Sequence, residues 1–193
     1  TKRTMRGRTV RSVERLHTRQ FTDAADAFHV DCGATYDGTA TATITQLWHL
    51  EGQTVTAVAD GAVWAGLVVS GGQITIPAAA SVVHVGLPYT CTAETLPLSW
   101  QADGFGQGTM KNVSGAHFRV RSSGAFWCGP TGGTLYEVPR RSTETYGSAP
   151  RLKTGWDHIT VAPQWQDDGG ITIEHRYSLP LTVLSLVLDV TSS

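Results

Sequence analysis

Residues 48–98 read WHLEGQTVTAVADGAVWAGLVVSGGQITIPAAASVVHVGLPYTCTAETLPL, and this stretch decides the fold class of the chain. Its apolar residues alternate with small or polar ones at the two-residue period of a β-strand, whose side chains point to opposite faces in turn. The clearest example is Ser81–Tyr89. One face of that segment is predicted to carry Val83, Val85, Leu87 and Tyr89. The stretch therefore indicates a β-rich fold.

Two turn signals divide this stretch into hairpins. Asp60-Gly61 and Ser70-Gly71-Gly72 supply residues that accept a positive φ in a tight turn. Gln73–Ile76 is predicted to return as the partner strand of Ala62–Val69. In the latter segment, the alternation predicts one face made of Val63, Ala65, Leu67 and Val69.

The same alternation continues towards the C-terminus in three further predicted strands, and Thr134–Val138, after a Gly-rich loop, is predicted as another. In Lys111–Arg121, Phe118 and Val120 are expected to face inwards, whereas His117, Arg119 and Arg121 face outwards. Asp167-Asp-Gly-Gly170 is predicted to turn into the strand Ile171–Tyr177. In the terminal strand Leu181–Val190, one face is expected to carry Leu184, Leu186, Leu188 and Val190.

These segments predict an all-β fold of two antiparallel β modules, sandwich or barrel-like, with long surface loops. We expect residues 1–30 to be a basic connecting arm, 31–98 the first β module, 99–108 a Gly-rich linker and 109–193 the second β module. Within the arm, residues 22–28 predict one helical turn capped by Thr22. The Gly- and Pro-containing segment 139–158 is predicted to be a long surface loop.

Composition places the chain among folded proteins. Hydrophobic residues make up 40% and charged residues 16% of the 193 positions, so the chain can bury a core. No segment reaches the roughly 18 continuous apolar residues of a membrane span.

The start of the sequence has no initiator Met or signal-peptide pattern, and we expect a C-terminal part of a longer protein. Cys32, Cys91 and Cys128 are predicted to be buried free thiols in a reducing compartment.

The near-neutral net charge of −1 conceals an uneven distribution. Residues 1–20 hold seven basic side chains and one acidic one, whereas residues 21–110 hold eight acidic side chains and no Lys or Arg. A basic arm followed by an acidic module predicts contact between neighbouring subunits or regions of one assembly. The alternative is a solvated linker whose charge has no partner. Aromatic residues do not interleave with the arginines, which makes DNA binding by the arm the weaker interpretation.

Catalytic, cofactor and metal motifs are not found in the sequence. The histidines sit singly, without the spacing of a metal site, at His17, His29, His49, His84, His117, His158 and His175. Asp167-Asp168 is explained by hairpin-turn chemistry. Gly104–Gly108 is not followed by the helix pattern that a phosphate-binding loop needs. We therefore predict no catalytic residue, no cofactor and no metal, although triad members that meet only in space cannot be found from sequence.

Tryptophan is frequent, at Trp48, Trp64, Trp100, Trp127, Trp156 and Trp165. Two interpretations remain open for these rings. Large rings fill cores and subunit contacts, where they bury the most area. Exposed rings on a β-sandwich can instead serve as stacking platforms for sugars.

Several segments follow one another in an order that resembles the C-terminal β-rich region of the tail tubular, or nozzle, protein family of short-tailed bacteriophages and prophages. The resemblance covers roughly residues 28–193 and is carried by DCGATYDG (31–38), LWHLEGQTVTAVADGAV (47–63), ITIPAAASVVHVGLPYTCTAETLPL (74–98), GQGTMKN (106–112), LKTGWD (152–157) and GGITIEHRYSLPLTVLSLVLDV (169–190). One departure stands out: in GQGTMKN, Lys111 is the single cation where the family has a more basic stretch.

The resemblance implies a structural virion protein and not an enzyme. As a domain of the tail nozzle, the chain would form a ring, expected to be a hexamer, around the channel for DNA ejection. Its partners would be copies of itself, other tail proteins on the adaptor and portal side, tail fibres, and DNA that passes without sequence-specific binding. We expect assembly in the cytoplasm of the bacterial host and residence in the virion. The alternatives are a receptor- or carbohydrate-binding β module of a phage tail, and a wall-degrading hydrolase that a zymogram would reveal.

Overall fold

The computed structural model describes residues 1–5, 7–18, 20–99, 108–140, 144 and 148–192. The predicted all-β fold is confirmed, because antiparallel strands dominate the described chain and its one helical element is a short 3-10 turn, Trp48–Leu50. The strands are β1 Lys2–Met5, β2 Arg8–Arg11, β3 Asp31–Ile44, β4 Thr54–Ala59, β5 Ala62–Val68, β6 Ile74–Leu87, β7 Cys91–Glu94, β8 Lys111–Ser123, β9 Phe126–Pro130, β10 Tyr136–Val138, β11 Lys153–Thr160, β12 Trp165–Gln166, β13 Ile171–His175 and β14 Val183–Ser192. Across the described residues, no helix is long and apolar enough to cross a membrane.

The first sheet has the strand order β3-β6-β4-β5, with every neighbouring pair antiparallel. Strands β4 and β5 form the predicted hairpin, in which Ala59 lies opposite Ala62. Both turn residues have a positive φ, 46° at Asp60 and 85° at Gly61, as a two-residue turn that matches strand twist requires. The Asp60 carboxylate also accepts backbone N–H bonds from Ser81 and Val82, which ties the turn to β6.

The partner predicted for Gln73–Ile76 is wrong. A tight turn does close between Ser70 and Gln73, which exchange backbone hydrogen bonds. However, the strand that follows is β6, and it pairs with β3 and β4 instead of β5. Its first residue, Ile74, lies opposite Ile44, and both side chains are buried in the same core. Turn residues do not determine which distant strand completes a sheet.

A bulge changes the predicted face of β5. Val55 lies opposite Leu67 and Ala57 opposite Trp64, so β5 carries one extra residue in this interval. Such a bulge shifts the two-residue alternation of the strand. As a result Trp64 and Leu67 pack against the first core, whereas Val63 packs against a separate cluster.

Two further sheets enclose the second core. In one, β8 lies between β11 and β14, with β12 paired to its first residues; the other has the order β10-β9-β13-β7. The core between them contains Phe118 of β8 and Phe126 of β9, which meet edge-to-face at 5.0 Å between ring centroids. The predicted inward positions of Phe118 and Val120 are confirmed, since both side chains are fully buried. This part of the chain is a β-sandwich.

The division of the chain into arm, first module, linker and second module stays a prediction. The structure shows one strand pairing that crosses between the two modules. Strand β7 lies within the predicted first module, yet it pairs with β13 of the second. The predicted linker 99–108 lies almost entirely outside the described residues. A small cluster of Ala24, Val58 and Leu179 joins the arm, the first sheet and the C-terminal region.

The second half of the arm packs on the first sheet without the predicted helical turn. Residues 22–26 form bends, and the Asp23 carboxylate accepts the N–H groups of Ala25 and Asp26. Such side-chain bonds offer the backbone an alternative to a helix. His84 of β6 anchors this segment: its ring bonds the Ala25 carbonyl and the Thr35 hydroxyl. Burial lowers the pKa of His84, which favours the neutral ring.

Two predictions for the second module are also corrected. The surface loop predicted for 139–158 ends early, because Lys153 already begins β11, whose residues alternate between half-buried and exposed. In β14, Leu186, Leu188 and Val190 pack on the core as predicted, but Leu184 does not. A register shift between Val183 and Ser185 turns Leu184 towards solvent, where it is 52% exposed.

Candidate functional site

The face of the β11–β8–β14 sheet that points away from the core is a candidate site. Its rows follow from the strand register: Trp156 and Ser185 flank Arg119, His158 and Val187 flank His117, and Thr160 and Asp189 flank Gly115. We call these nine residues the outer face. The outward positions predicted for His117 and Arg119 agree with this register.

Part of the outer face is apolar and open to solvent. Trp156 and Val187 are 53% and 52% exposed, and Leu184 at the bulge of β14 is exposed as well. Strand β14 is ten residues long and pairs with β8 alone within the described chain. A long edge strand with exposed apolar side chains is a surface on which other chains can pair and pack.

A cluster of two histidines and an aspartate lies on the same face. His117 Nε2 is 3.1 Å from Asp189 Oδ2, and His158 Nε2 is 3.9 Å from the same oxygen. The two imidazole rings are neighbours, with centroids 4.3 Å apart and planes tilted by 30°. All three donor atoms fall within 4.8 Å of one another.

Gly115 makes room for this cluster. A Cβ atom at this position would lie 2.5 Å from Asp189 Oδ2 and 3.2 Å from His158 Nε2. A Cβ atom at position 115 would therefore force the Asp189 carboxylate to move and would crowd the His158 ring. Gly115 lies opposite Thr160 on β11 and Asp189 on β14. This register places the space left by the missing Cβ where the Asp189 and His158 side chains converge.

The sequence prediction treated these histidines as isolated, and the structure brings two of them together. His117, His158 and Asp189 are far apart along the chain and share no short spacing. They meet because β11 and β14 pair with opposite edges of β8, which aligns three outward positions in adjacent rows. Of the three, only His117 was predicted to face outwards, because His158 fell in the predicted loop 139–158, so the cluster emerges only once the strand pairing is known.

The basic arm contacts the acidic module within this chain. The Arg3 guanidinium binds Glu14 at 3.0 Å and Asp31 at 2.5 Å. The contact with Arg3, followed by the hydrogen bond from the Thr1 hydroxyl, holds the pKa of the Glu14 carboxyl well below its usual range. The other described cations of the arm have exposed side chains, at Lys2, Arg8, Arg11 and Arg15.

The tryptophans do not fill the buried cores of this chain. All five described rings are exposed or half-buried, and Trp100 lies outside the described residues. Trp127 stands between Tyr177, at 4.7 Å between centroids, and the Arg176 guanidinium at 4.8 Å. Trp64 packs against the first core, as the core interpretation expects, whereas subunit contacts and sugar stacking by the tryptophans both stay predictions.

Trp48 borders a groove between the β1–β2 hairpin and residues 48–53, which lead into β4. Its indole is 69% exposed on one side and lies against Gly72 on the other, where a Cβ would come within 2.5 Å of the ring. Glu51 fixes this turn by accepting the N–H groups of Gly71 and Gly72. The groove is lined by Met5, Arg8, Val10, Trp48, His49, Glu51 and Gln53.

Other sequence candidates have structural roles or fall outside the described chain. The Asp167 carbonyl accepts from the buried Lys111 ammonium at 2.8 Å, and the Asp168 carbonyl accepts from Leu98 N–H. The pair lies in a bend before β13, but β12 and β13 pair with other strands and not with each other, so the predicted hairpin is wrong. The Gly-rich segment before Gly108 lies outside the described residues.

The predicted burial of the cysteines holds for one of them. Cys128 is buried in the second core, and desolvation raises its pKa to about 12. Cys32 is half-buried, and burial is also the largest cause of its raised pKa. Cys91 is exposed on β7, so its prediction is wrong. All four residues of β7 have exposed side chains.

No protein-family model matches this chain, and no curated protein matches it significantly.

Proposed function

We propose that this chain is a structural β domain of a short-tailed phage tail nozzle, which packs against copies of itself in a ring around the DNA channel. The ordered resemblance over residues 28–193 supports the proposal. The proposal assigns the chain no catalytic residue and no cofactor. Its place would be the virion, after assembly in the bacterial cytoplasm with adaptor, portal and tail-fibre proteins.

The observation that carries the proposal is the distribution of charge. From Phe21 to Met110 the chain holds no Lys or Arg, and most carboxylates of this region are exposed, as at Asp37 and Asp60. DNA binding depends on cations that neutralise phosphates, so such a surface repels DNA. A conduit wall needs this property, since DNA must slide past it. A ring structure that places residues 31–98 away from the channel would contradict this role.

Ring closure needs two different, complementary surfaces on each copy. The outer face and the β14 edge offer one apolar surface, with Trp156 and Val187 exposed. The exposed arm cations Arg8, Arg11 and Arg15 offer a basic surface that complements the acidic sheet of a neighbour. Arg3 is already engaged by Glu14 and Asp31 of its own chain, so it is not part of this contact.

Charge reversal in the arm tests the assembly. We expect the wild-type protein to form a ring, seen as a multiple of the 20.7 kDa chain mass by light scattering or native mass spectrometry. The combined variant Arg8→Glu, Arg11→Glu and Arg15→Glu is expected to remain a monomer, because like charges then face each other.

The matched control carries Lys at the same three positions and is expected to assemble, because it keeps the charge. A wild-type protein that stays monomeric at every concentration overturns ring formation. Assembly of the Glu variant equal to that of the wild type overturns the role of the arm and leaves the apolar surface as the contact.

The Trp48 groove favours a second candidate function, carbohydrate binding at the phage tail. An exposed indole beside Gln53 and Arg8 combines a stacking surface with hydrogen-bonding groups, as sugar sites do. We expect Trp48→Ala to abolish binding on a glycan array, whereas Trp165→Ala, an exposed ring outside the groove, leaves binding intact. Equal loss in both variants, or a wild-type protein that binds no glycan, would exclude this function.

A further inference from the structure

The His117–His158–Asp189 cluster has the composition of a transition-metal site. Two imidazoles and one carboxylate match the three protein ligands of open zinc sites, which leave a fourth position for water or another donor. Hard ions such as Mg²⁺ and Ca²⁺ prefer sites made of oxygen ligands, so this donor set selects against them.

The geometry fits a single small ion. With metal–ligand bonds of about 2.0–2.2 Å, tetrahedral ligand atoms lie roughly 3.3–3.6 Å apart. The separations from Asp189 Oδ2, 3.1 Å to His117 Nε2 and 3.9 Å to His158 Nε2, bracket this range. Small rotations of the exposed side chains would bring both to the ideal value.

Three neighbouring strands hold the donors in place. His117 and His158 lie directly opposite each other on β8 and β11, and Asp189 lies one row away on β14. Their backbones are fixed by the sheet, so little order has to be gained on binding. Gly115 supports the site independently of the donor atoms, because its missing Cβ leaves the space into which the Asp189 carboxylate and the His158 ring converge.

We propose that His117, His158 and Asp189 bind one divalent transition-metal ion, Zn²⁺ above all, on the outer face of this sheet. The fourth position points away from the sheet and is open to water or to a donor of a neighbouring molecule. This proposal does not rest on the nozzle function, since its donors and its test concern the single chain.

Calorimetric titration of the full chain with Zn²⁺ tests the site, and Co²⁺ absorption reports the coordination. We expect one ion per chain, a tetrahedral Co²⁺ spectrum, and no binding of Mg²⁺. His158→Ala and Asp189→Asn are each expected to weaken binding at least about 100-fold, because losing even a group behind the ligands costs 10–100-fold. Thr160→Ala, which changes the same face without removing a donor, should bind as the wild type does.

Gly115→Ala provides a second test that keeps all three donors. The added Cβ forces Asp189 to move and crowds His158, so binding should weaken, though less than when a donor is lost, while the circular dichroism of the sheet is retained. A wild-type protein that binds no Zn²⁺, or His158→Ala and Asp189→Asn variants that bind it as tightly as the wild type does, overturns the site. Binding by folded Gly115→Ala at wild-type strength overturns the geometry proposed for it.

Discussion

Replacing Asp157 with alanine is expected to lower the free energy of unfolding by about 3–5 kcal/mol, because it strands a buried charge. The Arg140 and Asp157 side chains are only 3% and 9% exposed, and Nη1 lies 2.8 Å from Oδ2. Arg140 also donates from Nε to the Ser123 carbonyl and lies 5.4 Å from the Phe126 ring centroid. Burial lowers the pKa of Arg140, and Asp157 opposes that effect.

Urea denaturation of Asp157→Ala measures this loss. The double variant Arg140→Met with Asp157→Leu is expected to recover most of the stability, since it removes the buried pair and fills the space with apolar groups. Lys153, which also contacts Asp157, is 42% exposed and stays solvated. Thr160→Ala on the same strand serves as the surface control. A loss below about 1 kcal/mol in Asp157→Ala would mean that water reaches the pair and screens it.

Phe118→Ala is expected to cost about 3–5 kcal/mol, the usual range for removing a buried phenylalanine. Phe118 is fully buried at the centre of β8, with strands on both sides, and it supports the edge-to-face contact with Phe126. The alanine leaves a cavity that sheets on both sides of the core cannot easily close. The same denaturation measurement checks this value.

Two variants calibrate the Phe118 result. Phe118→Leu keeps most of the apolar volume and should cost clearly less than the alanine. Val187→Ala lies on the outer face and should change stability by no more than about 0.5 kcal/mol in the monomer. If Val187→Ala costs as much as Phe118→Ala, the outer face is buried in solution, which would itself indicate assembly.

The candidate metal site could not have been predicted from spacing. Metal motifs in sequence depend on donors that are close along one helix or loop. Here the donors come from three strands, and the loop-like composition of 139–158 hid the strand β11 that carries His158. The outward position of His117 was predictable from alternation, but its partners depend on which strands pair with β8.

Bulges explain why strand faces were predicted only in part. In β14 the core positions Leu186 and Leu188 follow the alternation, whereas Leu184 lies beyond a register shift and turns to solvent. In β5 the extra residue separates Val63 from Leu67. A single inserted residue reverses every face beyond it, and nothing in the apolar pattern marks that residue in advance.

Alternation and turn chemistry were enough to identify an all-β protein, its main strands and the Asp60-Gly61 hairpin, because these properties depend on residues close along the chain. Tertiary structure alone decided that β6 pairs with β3 and β4, that β7 pairs with β13, and that His117, His158 and Asp189 meet. The physical reason is that strand pairing is a contact between distant segments. Which strands pair depends on how well the side chains of distant segments pack into a common core, and a local sequence pattern does not record this.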